Sequence, residues 1–308
     1  MTIRIFIKTL STLVVCLLTV AFQPLHAACP APTGVSLQIL GSGGPIADDG
    51  RASSSYLVWV DGRARVLIDA GGGSFLRFGE AGAGFADLDF IGLSHLHTDH
   101  SAALPALLKS GNFSGRDRSL PIAGPDGEGV FPGLKGFLNA MLDGEDGAYG
   151  YLSAYLDGAG GKPMLTPREV TAGAPALIWS SETVAVDGMR VPHGIVPAVA
   201  FRVRAGDTTI VFGSDQNGSD PAFVEFAKDA SVLVMHMVVP EDVAGVGRRL
   251  HAPPSVIGEI AGQANPGTLV LSHFMARSLE DLEGNVALVA RGYGGKIVPA
   301  DDLVCVIP

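Results

Sequence analysis

The stretch at residues 90–107, FIGLSHLHTDHSAALPAL, places three of the chain's eight histidines and one aspartate within six residues, directly after an apolar run. His95 and His97 alternate around Leu96, so in extended backbone both imidazoles face the same side. Asp99 and His100 follow where the strand turns and can face a second position. One histidine at a strand end is more often a hydrogen-bonded structural residue. Four donors written H-x-H-x-D-H have the residue types and spacing of metal ligands.

Working outward, the apolar run DLDFIGLSHL reads as a strand that delivers this cluster, and HSAALPALLKSG as a helix that stops at Gly111. Upstream, GVSLQILG is a strand and SSYLVWVDGRARVLIDAG a hairpin turning at Asp61-Gly62. Downstream, ALIWSSETVAVDGMRVPHG, AVAFRVRAGDTTIVFGSD and SVLVMHM are rich in strands, and PPSVIGEIAGQAN is helical. GTLVLSHF is a short buried strand that ends in a histidine, and one more helix and a strand close the chain. Strands with intervening helices predict a layered α/β architecture in a single domain over residues 28–308. Residues 126–163, broken by glycines, form a helical and loop insertion. They read as a surface helical pair that packs Phe137, Leu138, Leu142, Tyr151 and Tyr155 on the body, in preference to a glycine-hinged lid.

The composition, 47% hydrophobic and 17% charged over 308 residues, suits a soluble globule with a sizeable core. Residues 1–27 have the layout of a secretory signal peptide: Arg4 and Lys8, the run LSTLVVCLLTVAF, then small residues suited to cleavage after Ala27. The run is too short for a comfortable membrane span. The expected location is therefore periplasmic or secreted, with no stable span after cleavage, and a lipid anchor on Cys29 ranks low. Export leaves Cys29 and Cys305 near the two ends, either as a disulfide or as two free thiols. The net charge of −10 becomes two units more negative without Arg4 and Lys8, and no basic run exists to hold a polyanion. A small-molecule substrate is expected rather than nucleic acid.

With these motifs in hand, the chain resembles the metallo-β-lactamase superfamily, whose hallmark is H-x-H-x-D-H. ILGSGGP, RASSSYLVW and VLIDAGGG resemble the opening of its ribonuclease Z and phosphodiesterase branch, with Asp69 at the early aspartate. VPHGIVPAVAFRV resembles the third metal motif through His193, IVFGSDQNG the bridging-aspartate motif through Asp215, and LVLSHF the last ligand motif through His273. The resemblance implies a four-layer αβ/βα sandwich with a dinuclear site between its sheets. His95, His97 and His193 would hold one divalent ion; Asp99, His100 and His273 the other; Asp215 would bridge them. Zinc is the expected metal, with manganese or iron as alternatives. A hydroxide shared by the two ions would attack phosphorus or a carbonyl carbon.

Asp99 and His251 are the catalytic candidates. The resemblance puts His251, in RRLHAPPSV, where that branch often carries a histidine on the scissile phosphate; the alternative is an exposed loop histidine. Asp69 either supports a ligand histidine or bonds local backbone. His236 reads as structural or as a support to the ligands, because Met237 stands where the branch often has an acid. The basic RNA-binding arm that ribonuclease Z commonly carries between the third and bridging motifs is replaced by a plain hairpin. A small phosphodiester or another ester is the expected substrate, with a lactone or β-lactam second. A non-catalytic, metal-stabilised periplasmic binding protein is the alternative of another class.

Overall fold

The computed structural model describes Cys29 and residues 33–308; the signal-peptide segment 1–27 lies outside the described residues. The first half of the chain supplies strands β1 (Val35–Gly41), β2 (Ser55–Val60), β3 (Arg63–Ile68), β4 (Phe90–Gly92), β5 (Leu120–Pro125) and β6 (Leu165–Val170). The second supplies β7 (Ala176–Ser180), β8 (Ala185–His193), β9 (Val196–Ala205), β10 (Thr208–Phe212), β11 (Val232–His236), β12 (Thr268–Ser272) and β13 (Lys296–Pro299). A final strand, β14 (Cys305–Val306), returns to pair with β1, so the two sheets run β14-β1-β2-β3-β4-β5-β6 and β13-β12-β11-β10-β9-β8-β7.

Strand alternation builds the layers. On β2, Tyr56 and Val58 face the second sheet and pack with Phe201, Phe212 and Val234, while Leu57 and Trp59 face outward. The outer face of the first sheet is covered by helices α1 (Ser74–Glu80), α3 (Leu104–Gly111), α4 (Leu134–Leu142) and α5 (Ala154–Asp157), with Phe78, Leu104, Leu108, Leu138 and Tyr155 buried, while the short α2 (Thr98–Ser101) buries Asp99 and His100. Over the second sheet lie α6 (Ala222–Ala227), α7 (Gly245–Leu250), α8 (Pro254–Ala264), α9 (Ala276–Leu279) and α10 (Leu282–Gly292). Phe223, Phe226, Ile257, Ile260 and Val289 are buried there against Leu233 and Leu269. This is the expected four-layer αβ/βα sandwich, with a separate apolar cluster in each of its three interlayer spaces.

The β2–β3 hairpin turns at Asp61 and Gly62, both with positive φ (49° and 73°), as an Asp-Gly turn requires. Several expectations need correction. The strand before the histidine cluster is only Phe90–Gly92, so His95 and His97 sit in the loop beyond it rather than on extended strand. Strands β5, β6 and β13 carry prolines or charges (LPIAGP, LTPREV, KIVP) that mask their pattern; β6 and β13 lie at sheet edges, where proline is tolerated. In the 126–163 segment Leu138, Leu142 and Tyr155 pack as anticipated, but Tyr151 is 65% exposed. Among the described residues no helix is long and apolar enough to cross a membrane.

Cys29 is bonded to Cys305, with Cα atoms 5.6 Å apart across 276 residues of chain. The bridge ties residue 29 to the β14 edge next to β1.

Candidate metal centre

Parallel pairing aligns the carboxyl ends of β3 with β4 and of β10 with β11 and β12, so the loops leaving them gather at one edge of the sandwich. Asp69 follows β3, Asp215 follows β10, His273 follows β12, and His193 and His236 are the last residues of β8 and β11. Three turning residues there adopt left-handed backbone without being glycine: Asp69 (φ 59°), Ser214 (φ 60°) and His273 (φ 56°). Each costs on the order of 1 kcal/mol, tolerated because it swings a side chain into the cleft. Gly71 lets the H-x-H-x-D-H loop close onto β3: a Cβ there would lie 2.1 Å from the Asp99 carbonyl oxygen.

The structure brings together all seven residues expected as ligands. Donor atoms of His95, His97 and His193 lie within 4.8 Å of one another, as do those of Asp99, His100 and His273. Asp215 stands between the two groups. Its Oδ2 is 3.9 Å from His95 Nε2 and 3.7 Å from His193 Nε2, and its Oδ1 is 3.5 Å from His273 Nε2. His251 joins the same cluster, with Nδ1 3.9 Å from Asp215 Oδ2, and is buried rather than an exposed loop residue.

Neighbouring groups fix how these rings present their nitrogens. Asp69 Oδ2 accepts from His100 Nδ1 at 2.8 Å, while Oδ1 accepts from the Ser94 amide at 2.6 Å. His193 Nδ1 donates to the Leu250 carbonyl at 2.9 Å. Both Nε2 atoms are thereby left as lone pairs. His236 Nδ1 donates to Asp215 Oδ1 at 2.6 Å, and its Nε2 accepts from the Tyr56 hydroxyl at 2.9 Å. Asp69 and His236 thus act as supports to the cluster. Tyr56 and Ser94 were not singled out from the sequence, since a tyrosine in SSYLVW and a serine in GLSHL look like ordinary core and loop residues.

This arrangement fits divalent cations. His193 directs a lone pair at a carboxylate oxygen, and His100 Nε2 and His273 Nε2 face each other at 3.0 Å. Nitrogens and carboxylate oxygens that point at a common centre repel unless a cation or proton sits among them. Burial opposes ionisation of Asp215, but the surrounding His273 and His251 rings and the hydrogen bond from His236 hold its carboxyl well below the usual range. Asp99 behaves alike, its burial outweighed by the adjacent His100 and His273 rings. Burial, reinforced by His100, holds His95 well below the ordinary imidazole range. Burial also pushes His251 down to about 3 and His236 down to about 4, each partly offset by Asp215. Burial opposes protonation of His100 and His273 as well, but the carboxylates of Asp69 and Asp99 beside His100 and of Asp215 and Asp99 beside His273 outweigh it and raise both, so the cluster gathers positive charge around its ionised carboxylates at positions a metal cation would take over. Over it lies a cavity of about 600 Å³, large enough for a small organic substrate.

A family model described as Metallo-beta-lactamase superfamily matches residues 48–121, the span from the β1–β2 loop through the histidine cluster to the start of β5. The ribonuclease Z of Mycobacterium marinum is 30% identical over 282 residues, covering 87% of this chain and 97% of its own. The chain belongs to the metallo-β-lactamase superfamily. Within that superfamily its sequence relatives include mycobacterial ribonucleases Z, and it is a metal-dependent hydrolase. Solved structures agree on the fold. The metallo-β-lactamase fold protein YhfI from Bacillus subtilis superposes with a TM-score of 0.69 at 20% identity, over 88% of this chain and 98% of that one. The short form of human tRNase Z does so with a TM-score of 0.68 at 19% identity, again over 88% and 98%.

Proposed function

We propose that this metallo-β-lactamase superfamily member is an exported dinuclear hydrolase of a small phosphodiester or a related ester. One observation carries it: two three-residue donor sets gather around a single carboxylate, Asp215, whose oxygens lie 3.5–3.9 Å from His95, His100, His193 and His273. His95, His97 and His193 would hold one ion, Asp99, His100 and His273 the other, with Asp215 between them. When bound, two divalent ions, zinc by the histidine-rich donor set, activate water near neutral pH and stabilise negative charge on the substrate oxygens.

The chain's own residues supply the rest. Asp69 and Ser94 hold the His100 ring, and Tyr56 and His236 hold Asp215, so the donors need little rearrangement on loading. His251, with Nδ1 buried and lacking a hydrogen-bond partner among the described residues, lines the cavity and can donate one hydrogen bond to a substrate oxygen as a neutral imidazole. Export is supported by the signal-like residues 1–27 and by the Cys29–Cys305 bridge, since disulfides persist in oxidising compartments.

The names of the relatives favour RNA as a second reading. Against it stand the net charge of −10 and the His193–Asp215 interval, which holds only the β8–β9 turn, β9 and β10, and no protruding arm. The test uses the chain without residues 1–27. Metal content is measured, and bis(p-nitrophenyl) phosphate, a 3′-extended RNA, a lactone and a chromogenic β-lactam are offered to the wild type and Asp215→Ala. Two metals per chain with Asp215-dependent cleavage of the small phosphodiester is the expected result. Turnover of the carbonyl substrates alone would move the reaction to lactone or lactam opening, cleavage of RNA alone would make it a nuclease, and two metals without turnover would favour a binding role.

A further inference from the structure

The cavity over the donor cluster has two chemically different walls. On the His97 side it shares Leu96, His97 and Phe131 with an adjacent smaller pocket of about 90 Å³. Leu96, Pro125, Phe131, Phe137, Val196 and Pro197 form much of that pocket, and apart from His97 no side chain lining it can make a hydrogen bond. The Phe131 ring stands edge-on to His97 with centroids 6.4 Å apart, so the pocket begins beside a candidate ligand. A group attached to the reacting centre therefore has an apolar pocket next to it.

On the His273 side the wall includes Arg277, carried on α9 four residues beyond His273. Its Nε donates to the Val238 carbonyl at 3.0 Å, which orients the guanidinium, and Nη2 has only the Met275 sulfur at 3.4 Å. Burial lowers its pKa and no charged neighbour offsets that effect. Among the described residues no carboxylate pairs with it. An oriented guanidinium with free donors at a cavity wall suits an anionic oxygen.

We propose that the substrate is an anionic ester with one short apolar arm: Arg277 engages a non-reacting anionic oxygen, and the pocket of Leu96, Phe131, Phe137 and Val196 receives the arm. The proposal rests on the hydrolase reading above and narrows it. The pocket has room for a short branched alkyl group or a single ring, and its proline and phenylalanine walls offer nothing to a polar sugar or base edge.

The test reads binding, so that it stands apart from turnover. Methyl-, isobutyl- and phenylphosphonate are titrated calorimetrically into the metal-loaded chain. Isobutyl- or phenylphosphonate is expected to bind about 10-fold tighter than methylphosphonate, the scale at which a hydrophobic pocket discriminates. Filling the pocket with Val196→Phe, or opening it with Phe137→Ala, should remove that preference. Arg277→Gln should weaken every phosphonate about 10-fold, Arg277→Lys should recover part of the loss, and KM for a neutral ester, p-nitrophenyl acetate, should not follow either change. Equal affinity for the three phosphonates in the wild type, or unchanged affinity in Arg277→Gln, overturns the proposal. If the preferences appear while no phosphodiester is cleaved, the subsites stand and the hydrolytic reading fails; cleavage without any preference sinks the subsites and leaves the reaction intact.

Discussion

Asp69 Oδ2 lies 2.8 Å from His100 Nδ1, a contact between the end of β3 and the short helix α2 that fixes which nitrogen His100 turns toward the cluster. The same carboxylate holds the Ser94 amide and hydroxyl at 2.6 and 2.8 Å, so one buried side chain sets both the loop and the ring.

Asp69→Ala should therefore cut affinity for the metal held by Asp99, His100 and His273 by about 10- to 100-fold, the usual effect of removing a ligand's supporting partner. Competition with a chromogenic chelator would show it. Affinity equal to wild type would mean that Asp69 is a local backbone anchor only.

Tyr56→Phe removes the hydroxyl that bonds His236 Nε2 at 2.9 Å and approaches Ser272 Oγ at 3.0 Å. With both partners fully or nearly fully buried, the loss should cost about 1–3 kcal/mol in urea unfolding. Metal affinity should fall more modestly than in Asp69→Ala, because Asp215 keeps its direct bond from His236 Nδ1.

Gly71→Ala would drive a methyl group against the Asp99 carbonyl, which a Cβ would meet at 2.1 Å. The expected outcome is a folded protein, by far-ultraviolet circular dichroism, whose metal content drops because α2 can no longer close on β3. Retention of two metals would show that the loop can move aside without cost.

Chelation of both metals should lower the melting temperature by about 15 °C, since each ion present at about 1,000 times its dissociation constant stabilises the fold by about 4 kcal/mol. Scanning calorimetry with and without chelator measures it, and readdition of zinc should restore the transition.

Reducing the Cys29–Cys305 bridge, or replacing Cys305 with serine, should lower stability by about 2–4 kcal/mol, because it closes a long loop in the unfolded chain. Equilibrium unfolding with and without reductant reads the difference, and a negligible change would show that the unfolded chain gains little freedom when the link is cut.

Much of the fold was legible because its signals are local. The Asp61-Gly62 turn, the alternating faces of β2 and β3 and the apolar face of α8 each lie within a dozen residues of sequence. The strands that escaped notice, β5, β6 and β13, form through pairing with neighbours rather than through their own pattern, and Pro121, Pro125, Pro167 and Pro299 within them oppose strand propensity. The length of β4 was overestimated because an apolar run continues through Leu93 although the pairing with β3 ends at Gly92. Tyr151 was misplaced for a related reason: helical spacing suggested packing, but glycines break the segment into short turns that leave its ring outward.

By itself the sequence determined a layered α/β architecture through hydrophobic period and four candidate donors through the H-x-H-x-D-H spacing, because both are properties of neighbouring residues; the two-sheet sandwich and the donors His193, Asp215 and His273 followed from the resemblance to the superfamily that its motifs carry. Only the tertiary structure decided that Asp69 serves His100, that His236 and Tyr56 back Asp215, that Cys29 meets Cys305, and that Arg277 and the Phe131–Phe137 pocket flank one cavity. Those contacts join residues up to 276 positions apart. They depend on sheet register and loop conformation, which are set by the packing of three apolar layers at once and leave no trace in any short stretch of chain.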